Sequence, residues 1–228
     1  MKITAISDLH GRFPGVDPCD LLIVGGDICP DGFGGRWAQY HPDLQLEWFK
    51  TEFVPWAQSK AKHVMVTWGN HDFCGHLLPR GSFGNLSIFT DERAQLILGP
   101  PTHQKVKLWF TPWSNQFMNW AWMKRHDELA AVYAQIPWGL DILVSHQPPY
   151  GCGDRYPNAG TGEMEHIGSS ELLYAIEQKK PKVVICGHLH GGHGVYNLGE
   201  TTVYNVSIVN EAYRPVYPPT DIQLTYSA

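Results

Sequence analysis

An excess of basic charge, paired cysteines and long apolar runs are all missing from this 228-residue chain. Lysine and arginine number 17 against 22 aspartates and glutamates, a formal net charge of −5. That balance excludes a generic nucleic-acid coat, which needs a basic face. Bound divalent cations would still reverse the sign locally, so charge does not identify the substrate. The five cysteines, Cys19, Cys29, Cys74, Cys152 and Cys186, are odd in number and form no Cys-x-x-Cys pair. They read as reduced thiols of a cytosolic protein, with Cys186 in the core. No apolar stretch approaches the roughly 20 residues of a membrane span. Met1–Thr4 leads straight into a strand and leaves no room for a signal peptide. The expectation is a cytoplasmic protein with no membrane partner. There is no internal repeat, low-complexity tract or charge block.

What the chain does have is apolar material in short pieces. A hydrophobic fraction of 43%, with 12% aromatics, is ample for a core. Strand-like runs fall at Ile3–Ser7, Leu21–Val24, Val64–Trp68, Leu86–Phe89, Val106–Phe110, Ile142–Ser145, Val183–Cys186, Val203–Ile208 and Ile222–Tyr226. Several are unbroken Val/Ile/Leu stretches, as in strands buried on both faces. Helical spacing appears around Trp48–Trp56, where Pro55 predicts a break, and from Phe117 to Ala134. A shorter helix is predicted over Ser170–Gln178, capped by Ser169 and closed by Pro181. Strand and helix alternate first and strands dominate last, which predicts an α/β chain with two packed sheets flanked by helices. The Gly- and Pro-rich stretch Gln147–Gly168 is too long for a plain connector and reads as a functional loop.

Five motifs carry the chemistry, each after a strand-like run. They are Asp8-Leu9-His10, Gly25-Gly26-Asp27, Gly69-Asn70-His71-Asp72, Val144-Ser145-His146 and Gly187-His188-Leu189-His190. None is decisive alone; together they hold the donors of a two-metal site. Extended backbone would point Asp8 and His10, or His188 and His190, the same way. A carboxylate can bridge two cations and an imidazole nitrogen cannot, so Asp27 is the natural bridge. Asn70 adds a neutral oxygen, and His146, His188 and His190 add neutral nitrogens. Asp8 and Asp27 return only half the charge of two divalent ions, so the site stays positive, suited to activating water and clamping an anion. The mixed donors suit Mn, Fe, Zn or Co better than Ca or Mg. The other histidines, His41, His63, His76, His103, His126, His166 and His193, default to surface or packing roles, with His166 and His193 near the motif loops.

The order and content of the motifs resemble the calcineurin-like metallophosphoesterase superfamily along essentially the whole chain, as a single domain over residues 1–228. The resemblance implies a four-layer α-β-β-α fold with the site at the strand ends. It places Asp8, His10, Asp27 and His190 on one metal and Asp27, Asn70, His146 and His188 on the other. It makes His71 the catalytic histidine, with Asp72 as the acidic partner that orients it. Two divalent transition-metal ions are implied, Mn first, with Fe, Zn, Co or Ni as alternatives. From Trp109 onward a closer resemblance runs to the metallophosphoesterase-domain-containing, brain protein-like subgroup, through Thr111-Pro112-Trp113, Asp141–Pro149, Gly187–Gly194 and Tyr213–Pro219. That subgroup implies phosphodiester hydrolysis and nucleotide binding. The expected activity is attack by metal-bound hydroxide on a small phosphodiester, possibly a nucleotide. A phosphomonoesterase acting on phosphoproteins or nucleotides stays open, as does a non-catalytic protein-binding scaffold. Stable nucleic-acid binding is not expected, since basic residues are few and scattered. The phosphate-gripping arginine of the Ser/Thr phosphatases has no clear match; Arg36 lies at a different offset. Arg12, Trp113, Asp154, Arg155 and His193 are the substrate-binding candidates. Trp113, Trp120 and Trp122 read either as packing or as a wall for a nucleobase.

Overall fold

Alternation inside single strands explains the layers. A computed structural model describes residues 1–97, 105–158 and 160–224. In the strand Cys19–Val24, Leu21 and Ile23 point to one cluster and Leu22 and Val24 to another, all fully buried. The same division separates Ile142 and Val144 from Leu143 in the strand Ile142–Ser145. Period-two geometry thus gives each central strand two apolar faces.

One six-stranded sheet runs in the order Thr220–Asp221, Ile3–Ile6, Cys19–Val24, Ala61–Val66, Leu86–Ile88, Gly81–Phe83. The other runs Gly194–Leu198, Thr201–Asn205, Val183–Cys186, Ile142–Ser145, Lys105–Thr111, Glu92–Ile97. Ile3, Ala5, Leu21 and Ile23 of the first meet Leu108, Phe110, Ile142 and Val144 of the second in the inter-sheet core. Phe49 and Phe53 cover the outside of the first sheet, and Leu129, Tyr133, Leu172 and Ile176 cover the second. The result is the expected two-sheet sandwich with helices outside.

The first helical run continues through residues 42–58 and does not break at Pro55. Phe49–Phe53 form a π turn just before it, and this wider turn absorbs the proline's missing N–H and its ring. The third helix is Ser170–Lys179, with Ser169 Oγ accepting from the Leu172 N–H at 3.2 Å. The second helix is shorter than expected, His126–Tyr133. Upstream of it, the Ser114 N–H donates to Trp122 O and the Gln116 N–H to Lys124 O. Those bonds pair Ser114–Asn115 with Met123–Lys124, and Trp122 adopts a positive φ of 51°. The apolar spacing of Trp120 and Met123 therefore reflects a folded loop.

The last strand pairs at Thr4↔Asp221 and Ala5↔Thr220, earlier than expected, and Thr225 and Tyr226 lie outside the described residues, as does His103. Glu92–Ile97 and Gly194–Leu198 were not foreseen; each is an edge strand with alternating burial. Among the described residues no helix is long and apolar enough to cross a membrane.

Three parallel strands of the first sheet, Ile3–Ile6, Cys19–Val24 and Ala61–Val66, end side by side. In the second sheet Ile142–Ser145 and Val183–Cys186 do the same. Ser7 joins the two ends: its N–H donates to Val206 O, and its carbonyl accepts from the Ile208 N–H, both at 3.0 Å. All five motif loops leave from this shared edge, the usual place for a site in sheets with parallel strands.

Candidate metal centre

The backbone leaving these strands is unusual. Asp8, His10, Asp27 and His188 all have positive φ, between 44° and 65°. Non-glycine residues persist in this region only where the surroundings fix them, and such strain concentrates at functional sites. Here the loops fix one another: the Asp8 N–H donates to Gly26 O at 3.0 Å and the His10 N–H to Asp27 O at 2.9 Å. Gly69 and Gly187 are required by space, since a Cβ at Gly69 would collide with Asp27 and one at Gly187 with Ser7 and Asp8.

The predicted donors converge in two groups. Asp8, His10 and His190 form one and Asp27, His146 and His188 the other, each with donor atoms within 4.8 Å of one another; His10 also belongs to a third such group, with Asp31 and His71. In the first, Nε2 of His10 and Nε2 of His190 face each other at 3.4 Å, and Asp8 Oδ1 lies 3.7 Å from His190 Nε2. In the second, His146 Nε2 lies 2.9 Å from Asn70 Oδ1 and 3.4 Å from Asp27 Oδ2. Asp27 Oδ2 is also 3.9 Å from His10 Nε2, so this carboxylate stands between the groups. The sequence-predicted donors Asp8, His10, Asp27, Asn70, His146, His188 and His190 are thereby brought together.

These contacts fit cations. His146 Nδ1 donates to Gly25 O at 2.9 Å, which turns Nε2 to the oxygens of Asn70 and Asp27. A cation at that point would take the place of the Nε2 proton between the same oxygens. His10 is likewise held through Nδ1, by Asp31 Oδ1 at 3.2 Å, with Nε2 turned toward His190. Asn70 Nδ2 is buried without a partner among the described residues, so the amide is placed for its oxygen. An outward Nδ1–H and an inward Nε2 are the arrangement of metal-binding histidines.

Charge follows the same geometry. Burial alone would raise Asp27, but the charges of His146 and His71 and a hydrogen bond from His146 hold its carboxyl well below the ordinary range. Burial would lower His146, yet Asp27 outweighs it and pushes the imidazole up to about 9. Burial and the nearby His146 charge push His188 well down, keeping it neutral, the form that binds a metal.

His71 lies beside the groups. Its N–H donates to Asp27 Oδ1 at 2.7 Å, and its Nδ1 meets Asp31 Oδ1, also at 2.7 Å. Burial would lower His71, but the charge of Asp27 and the bond to Asp31 raise it. Burial would raise Asp31, but bonds from His10 and His71 hold it well below its ordinary value. Asp72 does not take the orienting role expected of it. Its Oδ1 accepts from the N–H groups of Ile28 and Cys29, and its Oδ2 from Gly69, all at 2.9 Å. Burial and the Asp27 charge push it up to about 6 against those donors. The acid on His71 is Asp31, which sequence reading missed. It sits four residues after Asp27, past Pro30, and an acid search downstream of the Gly-Gly-Asp motif was the signal available.

The substrate-binding candidates are dispersed. Arg12 is exposed, and its Nη1 donates to His10 O at 3.3 Å. Trp113 donates through Nε1 to Asp91 Oδ2 at 2.6 Å and packs edge-on against Trp122. Asp154 is fully buried, accepting from Gly151 N, Gly168 N and His166 Nδ1; it ties the 147–168 loop together. Arg155 is exposed on the hairpin Arg155–Pro157/Met164–His166. His193 bonds Ser207 O and stacks on Tyr217 with centroids 4.3 Å apart. Trp122 is buried, whereas Trp120 lies against His71 with centroids 4.4 Å apart. Tyr213, quoted only within a resemblance motif, brings its ring to 4.7 Å from His10 and 4.9 Å from His190.

The chain is similar to known proteins along most of its length. The family described as calcineurin-like phosphoesterase matches residues 1–192. The chain is 28% identical to Metallophosphoesterase domain-containing protein 1 of Homo sapiens, over 98% of this chain and 71% of that protein. It is 33% identical to a UPF0046 protein of Caenorhabditis elegans, over 92% of this chain and 57% of that protein. A solved crystal structure at 14% identity superposes with a TM-score of 0.58, covering 98% of this chain and 99% of that one, and this likeness concerns the fold alone. Sequence, fold and donor set agree: the chain belongs to the calcineurin-like phosphoesterase family, a group of binuclear divalent-metal hydrolases of phosphoric esters.

Proposed function

We propose that this hydrolase is a phosphodiesterase acting on small phosphodiesters, nucleotides among them, with manganese as its preferred ion and the cytoplasm as its compartment. One observation carries the diester reading. The cavity beside His71, of about 350 Å³, has aromatic walls and no lysine or arginine among its described lining residues. A dianionic monoester calls for extra cationic grip, whereas the second ester group of a diester calls for neutral room.

The residues divide the work. Asp8, His10, Asp27 and His190 would hold one ion, and Asp27, Asn70, His146 and His188 the other. When bound, the ions supply an activated water and polarise the phosphoryl oxygens. His71, whose pKa the Asp27 charge and the Asp31 bond raise against burial, would donate its Nε2 proton to the departing alkoxide. Asp31 fixes the ring through Nδ1, so that Nε2 faces the reacting group. Asp72 holds the Asn70 loop against the Asp27 loop through the Gly69, Ile28 and Cys29 amides.

The test is kcat/KM for bis(4-nitrophenyl) phosphate against 4-nitrophenyl phosphate with added Mn, followed by 2′,3′- and 3′,5′-cyclic nucleotides and phosphopeptides. The diesters should be turned over faster. Faster hydrolysis of monoesters or phosphopeptides would make the protein a phosphatase.

A further inference from the structure

We propose that the cavity beside His71 is a slot for a planar aromatic ring carried by the leaving group, with Trp37 and Trp120 as its walls. The proposal rests on the phosphodiesterase reading and adds a specificity to it. His71 lines the cavity together with Trp37 and Trp120. A leaving group whose oxygen takes the His71 proton would have this space beside it, and the other ester substituent would lie elsewhere.

The walls are aromatic and held in place. Trp120 lies against His71, and Phe117 packs edge-on behind it with centroids 5.3 Å apart. Trp37 ends the hairpin Gly32–Phe33/Arg36–Trp37. The hairpin turns on Gly34 and Gly35, at φ 55° and 82°, a pair suited to a tight two-residue turn. The Ala38 N–H returns to Asp31 O at 2.9 Å, so the acid that orients His71 also anchors this wall. Tyr213 completes the cavity from a left-handed φ of 56°. Its N–H bonds Asn210 O at 2.8 Å, and Asn210 Oδ1 accepts from the Ala212 and Arg214 amides. Such strain is retained where the side chain's position matters.

The occupant follows from what is uncovered. Trp37 is 69% exposed, a large apolar face left in water at the mouth of the active site. A ring entering the slot would cover it, and stacking of this kind tolerates many ring systems. Gln39, an exposed residue of the same lining, offers an amide donor and acceptor, which suits the edge of a heteroaromatic ring. Two sources share this chemistry, a simple aryl-bearing ester and a nucleoside.

Calorimetry on the Mn-loaded enzyme separates the possibilities, using benzylphosphonate against methylphosphonate, adenosine 5′-monophosphate against ribose 5-phosphate, and inorganic phosphate. Benzylphosphonate should bind about tenfold tighter than methylphosphonate, the scale of one stacking contact. Trp37→Ala should bring that ratio near one, Trp37→Phe should keep part of it, and Trp138→Ala, in a separate cleft beside Tyr174 and Lys179, should leave it unchanged. A larger gain in the nucleotide pair than in the benzyl pair identifies a nucleoside, and a gain in the benzyl pair alone identifies an aryl ester. With benzyl methyl phosphate, whose two alcohols have similar basicity, benzyl alcohol should be released in excess. Phosphate binding with no aromatic gain in either pair overturns the slot and leaves the phosphodiesterase reading intact. Loss of phosphate binding and of diester turnover together would overturn both.

Discussion

Asp31 Oδ1 lies 2.7 Å from Nδ1 of His71, and the same oxygen is 3.2 Å from Nδ1 of His10. One carboxylate atom therefore sets the orientation of the proposed proton donor and of a proposed metal ligand.

The first consequence is a pH effect. A proton donor acts in its protonated form, and the Asp27 charge and the Asp31 bond raise the pKa of His71, so activity should extend to higher pH than an ordinary histidine would allow. Asp31→Asn removes one of the charges that raise it, so the basic limb of the kcat profile should move to lower pH. Stability runs the same way: the His71 contribution is complete below 6.5 and is lost as pH rises through the raised folded value. A profile in Asp31→Asn that overlays the wild type would dissociate Asp31 from the proton donor.

Asp72→Ala should behave differently. It strips three backbone amides of their acceptor, and each buried donor left unpaired costs about 1–3 kcal/mol. Thermal unfolding should show a loss of about 3 kcal/mol or more. Among molecules that still fold, the dependence of rate on leaving-group basicity should match the wild type.

Asp27→Ala removes the carboxylate that stands between the two donor groups. Metal analysis under saturating Mn should find both ions lost, against two per chain in the wild type. Full metal content in this variant would mean that the groups do not share Asp27.

For His71→Asn, metal content should be unchanged and kcat should fall by about 10²–10⁴-fold, the range of general acid catalysis. The fall should be smaller for nitrophenyl than for alkyl esters, because a good leaving group needs less protonation. Equal losses would assign His71 to holding the phosphate.

Trp113→Phe deletes the 2.6 Å bond from the indole to Asp91. A single side-chain hydrogen bond of this kind is worth about 1.5–3 kcal/mol when its acceptor is charged. Unfolding should register that loss while kcat/KM stays constant, in keeping with a packing role.

The layers were legible because buried strands write their two faces as unbroken Val/Ile/Leu runs, as in Leu21–Val24 and Ile142–Ser145. The donor set was legible because its residues follow those runs directly. Asp31 was not, because its meaning comes from a turn that brings residue 31 to residue 71, and no local period records such a contact. The aromatic spacing from Phe117 onward misled for a related reason. Trp120 and Trp122 are placed by pairing with Ser114–Asn115 and by the Ala121 N–H bond to Asn70 O at 3.1 Å, and an amphipathic face is only one way to space large residues. Trp37 gave no signal, since an exposed aromatic acquires significance only from what stands near it, and Tyr213 stood out only as part of a resemblance motif.

The donors come from both plates of the sandwich. Asp8, His10, Asp27 and Asn70 leave the first sheet, and His146, His188 and His190 leave the second. Any ion held by both sets is a rivet through two plates. The thickness of the filling between them, Ile23 and Ala5 against Phe110 and Val144, then becomes the gauge against which an ion's radius is measured. Repacking those residues would retune metal preference from a distance, with every ligand still in place.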